Sequence, residues 1–433
     1  MTAAVVGLGK IGLPLAVKIA GAGVPVVGAD INPRVVELVN AGKPLFTGEP
    51  ELEERLAATL AAGMLRATTS TPEAVAAADV MIVVVPLVVD EARRPDFAGI
   101  DAATAEVGGA LRPGQLVIYE TTLPIGTTRG RFGPALEARS GLSLGDGFLL
   151  AFSPERVSSG SVFRDLDRYP KIVGGIDARS SSAAIAFYER VLTFDDRPDL
   201  ARGNGVWDVG SAEAAEFVKL AETTYRDVNI ALANEFAIEA ERRGLHLQPI
   251  IDAANSQPYS HIHRPGVAVG GHCIPVYPRF YLAGHPEARL VATARVVNEA
   301  QPERHVARLA ELIGPLAGLT VVVLGAAYRG QVKETAFSGV MPLVRVLADR
   351  GAKAVVHDPL YDDHELAELG LTPFVLGHPV DGAILQADHT AYRHLTPTDL
   401  PGCRGIVDGR GIVEQSPWLA AGVRMAVVGS PST

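Results

Sequence analysis

The segment "TAAVVGLGKIGLPLAVKIAGAG" at residues 2–23, followed by "VPVVGAD" at 24–30, constrains the fold more than any other stretch. It reads as a short β-rich run, the turn Gly7-x-Gly9-x-x-Gly12, a helix ending near Gly21 and Gly23, and a second strand ending in Asp30. In such a turn Gly7 permits the tight bend, Gly9 lets the backbone approach a pyrophosphate, and Gly12 lets the helix pack close to the strand. The helix N-terminus then presents unpaired N–H groups and its positive dipole end to the phosphates. Asp30 stands eighteen positions past Gly12. A carboxylate there accepts from the adenosine ribose and repels a 2′-phosphate, so NAD is the expected cofactor rather than NADP.

Apolar runs at 78–86 ("ADVMIVVVP") and 114–122 ("GQLVIYETT") have the character of buried parallel strands, alternating with helical stretches at 50–65 and 101–111. A helix is predicted over about 211–244, with Ser211 as N-cap and Gly244 as stop. Its length suits a connecting or dimer-forming element. "GLTVVVLGAAYRG" at 318–330 reads as a second strand–turn–helix opening, with "AKAVVHDPLY" at 352–361 as a further strand. The expected fold class is α/β, with two Rossmann-like doubly wound domains joined by a long central helix. The expected divisions are 1–205 for NAD binding, 206–300 for a helical region carrying a cysteine, and 301–433 for the second α/β domain.

Composition excludes several function classes. The chain has 433 residues, a net charge of −10 and no Lys/Arg-rich run, which argues against a nucleic-acid partner. The longest apolar run, at 80–89, is too short to span a bilayer and is broken by Pro86. No signal peptide is read at the N-terminus, and only two cysteines occur, so a reducing cytoplasm is expected. No metal site is expected.

One of those cysteines, Cys273, lies in "VGGHCIPVYP" at 269–278. A buried free cysteine is usually a small hydrophobe, whereas a reactive one needs a partly open, electropositive pocket. Cys403, in the turn "PGCRG", has no such context and reads as structural. His272 is a poor candidate base for its neighbour, because adjacent side chains on an extended segment face opposite ways.

The ordered motifs "GLGKIGLPLA", "ETTLPIGTT", "SPERVSSG", "KIVGG", "KLAETTYRDVNIALANE", "GGHCIPVYP" and "GAAYRG" span nearly the whole length. In that order they resemble the nucleotide-sugar 6-dehydrogenases, the group that includes UDP-glucose and UDP-N-acetyl-hexosamine dehydrogenases. The resemblance implies NAD-dependent four-electron oxidation of a hexose carbon-6 to the uronate, with Cys273 as nucleophile through a thiohemiacetal and a thioester. It implies a UDP-binding C-terminal domain and a homodimer built on the central helix. It makes Lys219 the stabiliser of the oxyanions or a participant in proton transfer, and gives Thr122 and Glu155 a hydrogen-bonded water and the reacting hydroxyl. Lys10, Ile11, Arg34, Pro86 and Thr121 join the cofactor set. Phe152, Arg156, Tyr259, Arg264, Gly270 and Arg329 form the implied substrate set.

Three positions depart from the family pattern. Thr223 stands where Asn is usual, Tyr277 where Asp is usual, and Ala336 where Arg is usual. Thr223 and Tyr277 keep hydrogen-bonding groups, which fits a variant site for the hydrolytic step. They also leave open a nucleotide-sugar and NAD-binding protein with lost or partial oxidation.

Overall fold

The computed structural model describes residues 1–46 and 48–433. Two compact units emerge: residues 1–222 with 279–284, and residues 223–278 with 285–433.

The first unit is built on an eight-stranded sheet. Its strands are β1 (Ala3–Val6), β2 (Val26–Ala29), β3 (Leu65–Thr68), β4 (Val80–Val83), β7 (Leu116–Tyr119), β8 (Leu149–Phe152), β9 (Lys171–Gly175) and β10 (Val206–Asp208), with a small antiparallel ribbon, β5 (Val88–Val89) and β6 (Pro95–Asp96), between β4 and β7. The spatial order is β10-β9-β8-β7-β4-β1-β2-β3. Pairing is parallel throughout except between β8 and β9. Short apolar strands such as β1, β4 and β7 are buried along their whole length, as expected of a sheet covered on both faces. Strand order reverses between β1 and β4, the crevice where ligands of open α/β sheets bind.

Close packing at the first turn explains its glycines. Gly7 has φ +96°, and a Cβ on Gly12 would lie 1.8 Å from the Gly7 carbonyl oxygen. The helix Gly12–Gly21 can therefore seat on β1 only with glycine at its first position.

The long helix runs from Ala212 to Arg242. The Ser211 hydroxyl accepts from the Ala214 N–H at 3.1 Å, and Gly244 at φ +68° ends the run, both as expected.

The second unit carries five parallel strands: β11 (Thr320–Leu324), β12 (Lys353–His357), β13 (Gly382–Leu385), β14 (Gly405–Asp408) and β15 (Arg424–Val427). Their order is β12-β11-β13-β14-β15, again doubly wound. The expected order of strand, turn, helix and strand holds, but the helix starts later than the opening at 318–330 implied: residues 325–339 run irregularly until the helix Val340–Asp349. The turn is tied down by Asp358 at the end of β12, whose carboxylate accepts from the N–H groups of Ala326 (2.8 Å) and Ala327 (2.9 Å) and faces the His389 ring at 3.2 Å. No helix among the described residues is long and apolar enough to cross a membrane.

Candidate active site

In the first unit the residues singled out from sequence emerge from the C-terminal ends of successive strands. Gly7 follows β1, Asp30 follows β2, Pro86 follows β4, Thr121 and Thr122 follow β7, and Glu155 follows β8. Each Asp30 carboxylate oxygen accepts a backbone N–H, Oδ2 from Leu8 and Oδ1 from Asn32, both at 2.9 Å. The acid expected at a ribose thus also fastens the glycine turn, and its remaining lone pairs are available to hydroxyl donors. Around Gly9 an added Cβ would meet nothing within 4 Å. That open cradle at a helix N-terminus fits a dinucleotide diphosphate. Lys10 is exposed and Ile11 half-buried at its rim. Arg34 lies on the surface, 3.4 Å from Glu37, while the Thr121 hydroxyl donates to the Val85 carbonyl at 2.7 Å.

Thr122 and Lys219 are buried, at 4% and 8% exposure. Lys219 thus does not lie on a solvated face of the long helix. Glu155 is half-buried, its main chain donating to the Glu120 carbonyl at 3.2 Å. Arg156 pairs with Glu222 and donates to the Pro170 carbonyl at 3.1 Å. It lines an apolar cleft of about 510 Å³ with Ile172, Trp207 and Val218. Phe152, by contrast, is wholly buried at the end of β8.

Two acidic clusters here were not read from the sequence. Glu120 is buried against Lys171 at 2.9 Å, and the Tyr188 hydroxyl donates to it. Burial raises the Glu120 carboxyl above its ordinary range, partly offset by Lys171. Glu216, on the long helix, accepts from the N–H groups of Gly126 (2.5 Å) and Thr128 (2.8 Å) and from the Thr128 hydroxyl (2.7 Å). Burial nevertheless pushes it up to about 7. A charged residue opening the otherwise buried run "KIVGG" was the one available signal for Lys171.

In the second unit Cys273 is half-buried in a turn. Its carbonyl accepts from the N–H of Val276 (3.3 Å) and Tyr277 (2.9 Å), which opens the helix Tyr277–Gly284. The preceding glycines are sterically required. A Cβ on Gly270 would lie 2.6 Å from Cβ of Tyr328, and Gly271 has φ +90° against the Tyr328 ring. The Gly271 N–H donates to the Ala336 carbonyl at 3.0 Å. Motifs "GGHC", "GAAYRG" and "VKETAFSG" are thereby folded into one cluster.

His272 is exposed, 3.7 Å from Glu334 and edge-on to Phe337. The chain turns here rather than extending, so its orientation follows from these partners and not from strand alternation. Thr223 is buried and Tyr277 half-buried. Arg264 and Arg329 are exposed, the latter over the Tyr328 ring at 5.6 Å, and Tyr259 is 92% exposed. The loop bearing Tyr259 and Arg264 is tied back by Asn229, which donates to the His261 carbonyl (2.8 Å) and accepts from the His263 N–H (2.9 Å). Cys403 packs in an apolar cluster, where burial pushes its thiol up to about 12.

Comparison with known proteins identifies the family. Residues 1–192 match the NAD binding domain of the UDP-glucose/GDP-mannose dehydrogenase family, 213–300 its central domain and 322–415 its UDP binding domain. The chain is 34% identical to a UDP-N-acetyl-D-mannosamine dehydrogenase of Pyrococcus horikoshii over 96% of its own length and 97% of the relative's. It is also 34% identical to an NDP-N-acetyl-D-galactosaminuronic acid dehydrogenase of Ralstonia solanacearum, covering 95% and 96%. A solved structure of the UDP-D-ManNAc dehydrogenase from P. horikoshii superimposes with a TM-score of 0.88 at 31% identity, covering 99% of both chains. The chain therefore belongs to the UDP-glucose/GDP-mannose dehydrogenase family and is an NAD-dependent nucleotide-sugar dehydrogenase.

Proposed function

We propose that the protein oxidises carbon-6 of a UDP-linked N-acetyl-hexosamine, of the N-acetyl-mannosamine type, to the uronate, with Cys273 as the covalent nucleophile. The division of labour is that expected from sequence: 1–205 for the cofactor, 206–300 for the chemistry and 301–433 for the nucleotide. The observation that carries this is the contrast between the two thiols. Cys403 is an inert core side chain, whereas Cys273 is half-buried in a turn whose glycines leave no room for side chains.

The substrate alcohol loses a proton and a hydride to become the aldehyde. The Cys273 sulfur adds to that carbon, giving a thiohemiacetal, which loses a second hydride to become a thioester. Water hydrolyses the thioester, releasing the carboxylate and restoring the thiol. Bound NAD supplies the hydride acceptor, one molecule for each step. Gly7, Gly9, Lys10, Ile11 and Gly12 would hold its diphosphate, and Asp30 its ribose, with Arg34, Pro86 and Thr121 beside them. Lys219 stabilises the developing oxyanion, and Glu155 and Thr122 hold the reacting hydroxyl and the water. Thr223 and Tyr277 offer hydroxyls where the family usually has amide and carboxylate. Arg156, Tyr259, Arg264, Gly270 and Arg329 complete the substrate set, while Phe152, expected in it, is a core side chain with no exposed surface to offer a ligand, and the exposed Tyr225, Leu232 and Phe236, spaced seven and four along the long helix, support a homodimer through that face.

UDP-N-acetylmannosamine, UDP-N-acetylglucosamine, UDP-glucose and dTDP-glucose are the test panel, followed by NADH absorbance. About two NADH per sugar consumed is expected, with uronate as product. One NADH per sugar would favour the second reading, partial oxidation, which Thr223 and Tyr277 motivate. No NADH from any nucleotide sugar would overturn the assignment.

A further inference from the structure

We propose that Asp227, Asn234, Arg295 and Asn298 are positioning residues for Cys273, a buried polar chain that grips the cysteine loop at Gly266 and Pro275 and fixes where its thiol sits. That Cys273 is the nucleophile is the proposal made above, on which this one rests; the state of its loop is measured without turnover.

All four residues lie within the second unit, and all four side chains are buried. Asp227 and Asn234 stand seven apart on the long helix, and Arg295 and Asn298 three apart on the helix Arg289–Glu299, so each pair shares one helix face. The Arg295 guanidinium donates to both Asp227 carboxylate oxygens, with Nε 2.6 Å from Oδ2. The Asn298 amide nitrogen donates to Asp227 Oδ1 at 2.7 Å and to the Asp227 carbonyl at 2.9 Å. Its oxygen is thereby turned to Asn234, whose amide nitrogen donates to it at 2.9 Å. That leaves the Asn234 oxygen to accept from the Gly266 N–H at 3.0 Å. The direction of this chain is forced, because an ionised carboxylate only accepts. Each amide must present its nitrogen towards Asp227, and the last group left facing the loop is an oxygen. At the other end Arg295 Nη1 lies 3.5 Å from the Pro275 carbonyl oxygen.

Gly266 and Pro275 stand on either side of Cys273 in the chain. Between them the loop is pressed against the turns of the second sheet. A Cβ on Gly409 would lie 2.0 Å from Cγ2 of Val267, and one on Gly339 would lie 2.4 Å from Cβ of Ala268. A buried ion pair seldom stabilises a core more than apolar side chains of similar volume. What a fully satisfied polar network supplies is a single rigid arrangement. A nucleophile needs that, since a misplacement of about 1 Å can cost roughly a hundredfold in rate.

The test compares the two thiols. The full chain is treated with iodoacetamide, and modification at Cys273 and at Cys403 is followed separately by peptide mass. Asn234→Ala removes the acceptor of the Gly266 N–H and should speed alkylation of Cys273 about five- to tenfold, the gain in loop opening that one lost buried hydrogen bond allows, with Cys403 unmoved. A merely structural network would loosen the whole unit and expose both thiols together. With a nucleotide sugar that the panel shows to be turned over, kcat should fall about tenfold or more while KM for NAD, bound in the first unit, holds. Arg295→Lys keeps a cation opposite Asp227 but loses the planar fork, and should act in the same direction, which serves if Asn234→Ala does not fold. In the unmodified protein the Gly266 amide should exchange its hydrogen slowly, a measurement that needs no variant. Rapid exchange at Gly266, a Cys273 rate within about twofold of the unmodified protein in the folded variants, or a parallel rise at Cys403 overturns the proposal. Uronate made by Cys273→Ser would end the nucleophile reading instead, and is a separate result from the behaviour of the loop.

Discussion

Replacing Glu216 with Gln should remove a pH dependence that the unmodified protein carries in its first unit. The carboxylate is fully buried, between the long helix and the turn at 124–128, and accepts three hydrogen bonds from Gly126 and Thr128. Those donors favour the ionised form, yet burial outweighs them and pushes the group from 4.5 up to about 7. The folded state therefore holds this proton more tightly than the unfolded chain does. Its contribution to stability is fully present below about pH 4.5 and is lost as pH rises through about 7. The gap corresponds to about 3 kcal/mol across that window, as an order of magnitude. Glu216→Gln keeps an oxygen acceptor for the turn but does not titrate. Urea unfolding of both proteins at pH 5 and pH 8.5, following a signal from the first unit, reads the difference directly. The Gln variant should gain about 1–3 kcal/mol relative to the unmodified protein on going from pH 5 to pH 8.5. A difference that stays flat, or that grows in the opposite direction, would refute the reasoning and mean that the three donors hold the carboxylate ionised throughout.

Asp30→Ala should erode the preference for NAD over NADP and also weaken binding of both, since Asp30 fastens the Leu8 N–H as well; equal turnover with both cofactors before mutation would count against the ribose role. Cys273→Ser should lose uronate formation by several orders of magnitude while still binding NAD and nucleotide sugar, whereas Cys403→Ala should keep turnover and lose about 1 kcal/mol or less of stability, as expected for a small core truncation; near-normal uronate output from Cys273→Ser would end the covalent mechanism. Light scattering at micromolar concentration should give about twice the 45.5 kDa chain mass, and Leu232→Lys should shift it towards one chain; a monomer before mutation would sink the helix-face dimer.

Much of the fold was legible because its signals are local. Gly7, Gly9, Gly12 and Asp30 are spaced by the turn and helix they build, and runs such as "VMIVVVP" need no distant partner to read as buried strands. Ser211 and Gly244 bound the long helix for similarly local reasons. Tertiary structure decided whatever depends on what lies across a layer. Lys219 is buried by the packing around its helix, which no spacing along the chain foretells. His272 turns to Glu334 and Phe337 because the chain bends where an extended run was expected. The turn after β11 is held by Asp358, which reaches Ala326 and Ala327 from the end of the neighbouring strand. Glu120, Lys171 and Tyr188 come from three separate elements, and Glu216 meets a turn about ninety positions earlier. No spacing rule links them. Their charge becomes informative only when burial removes water, which makes an unpaired group costly and a paired one worth explaining.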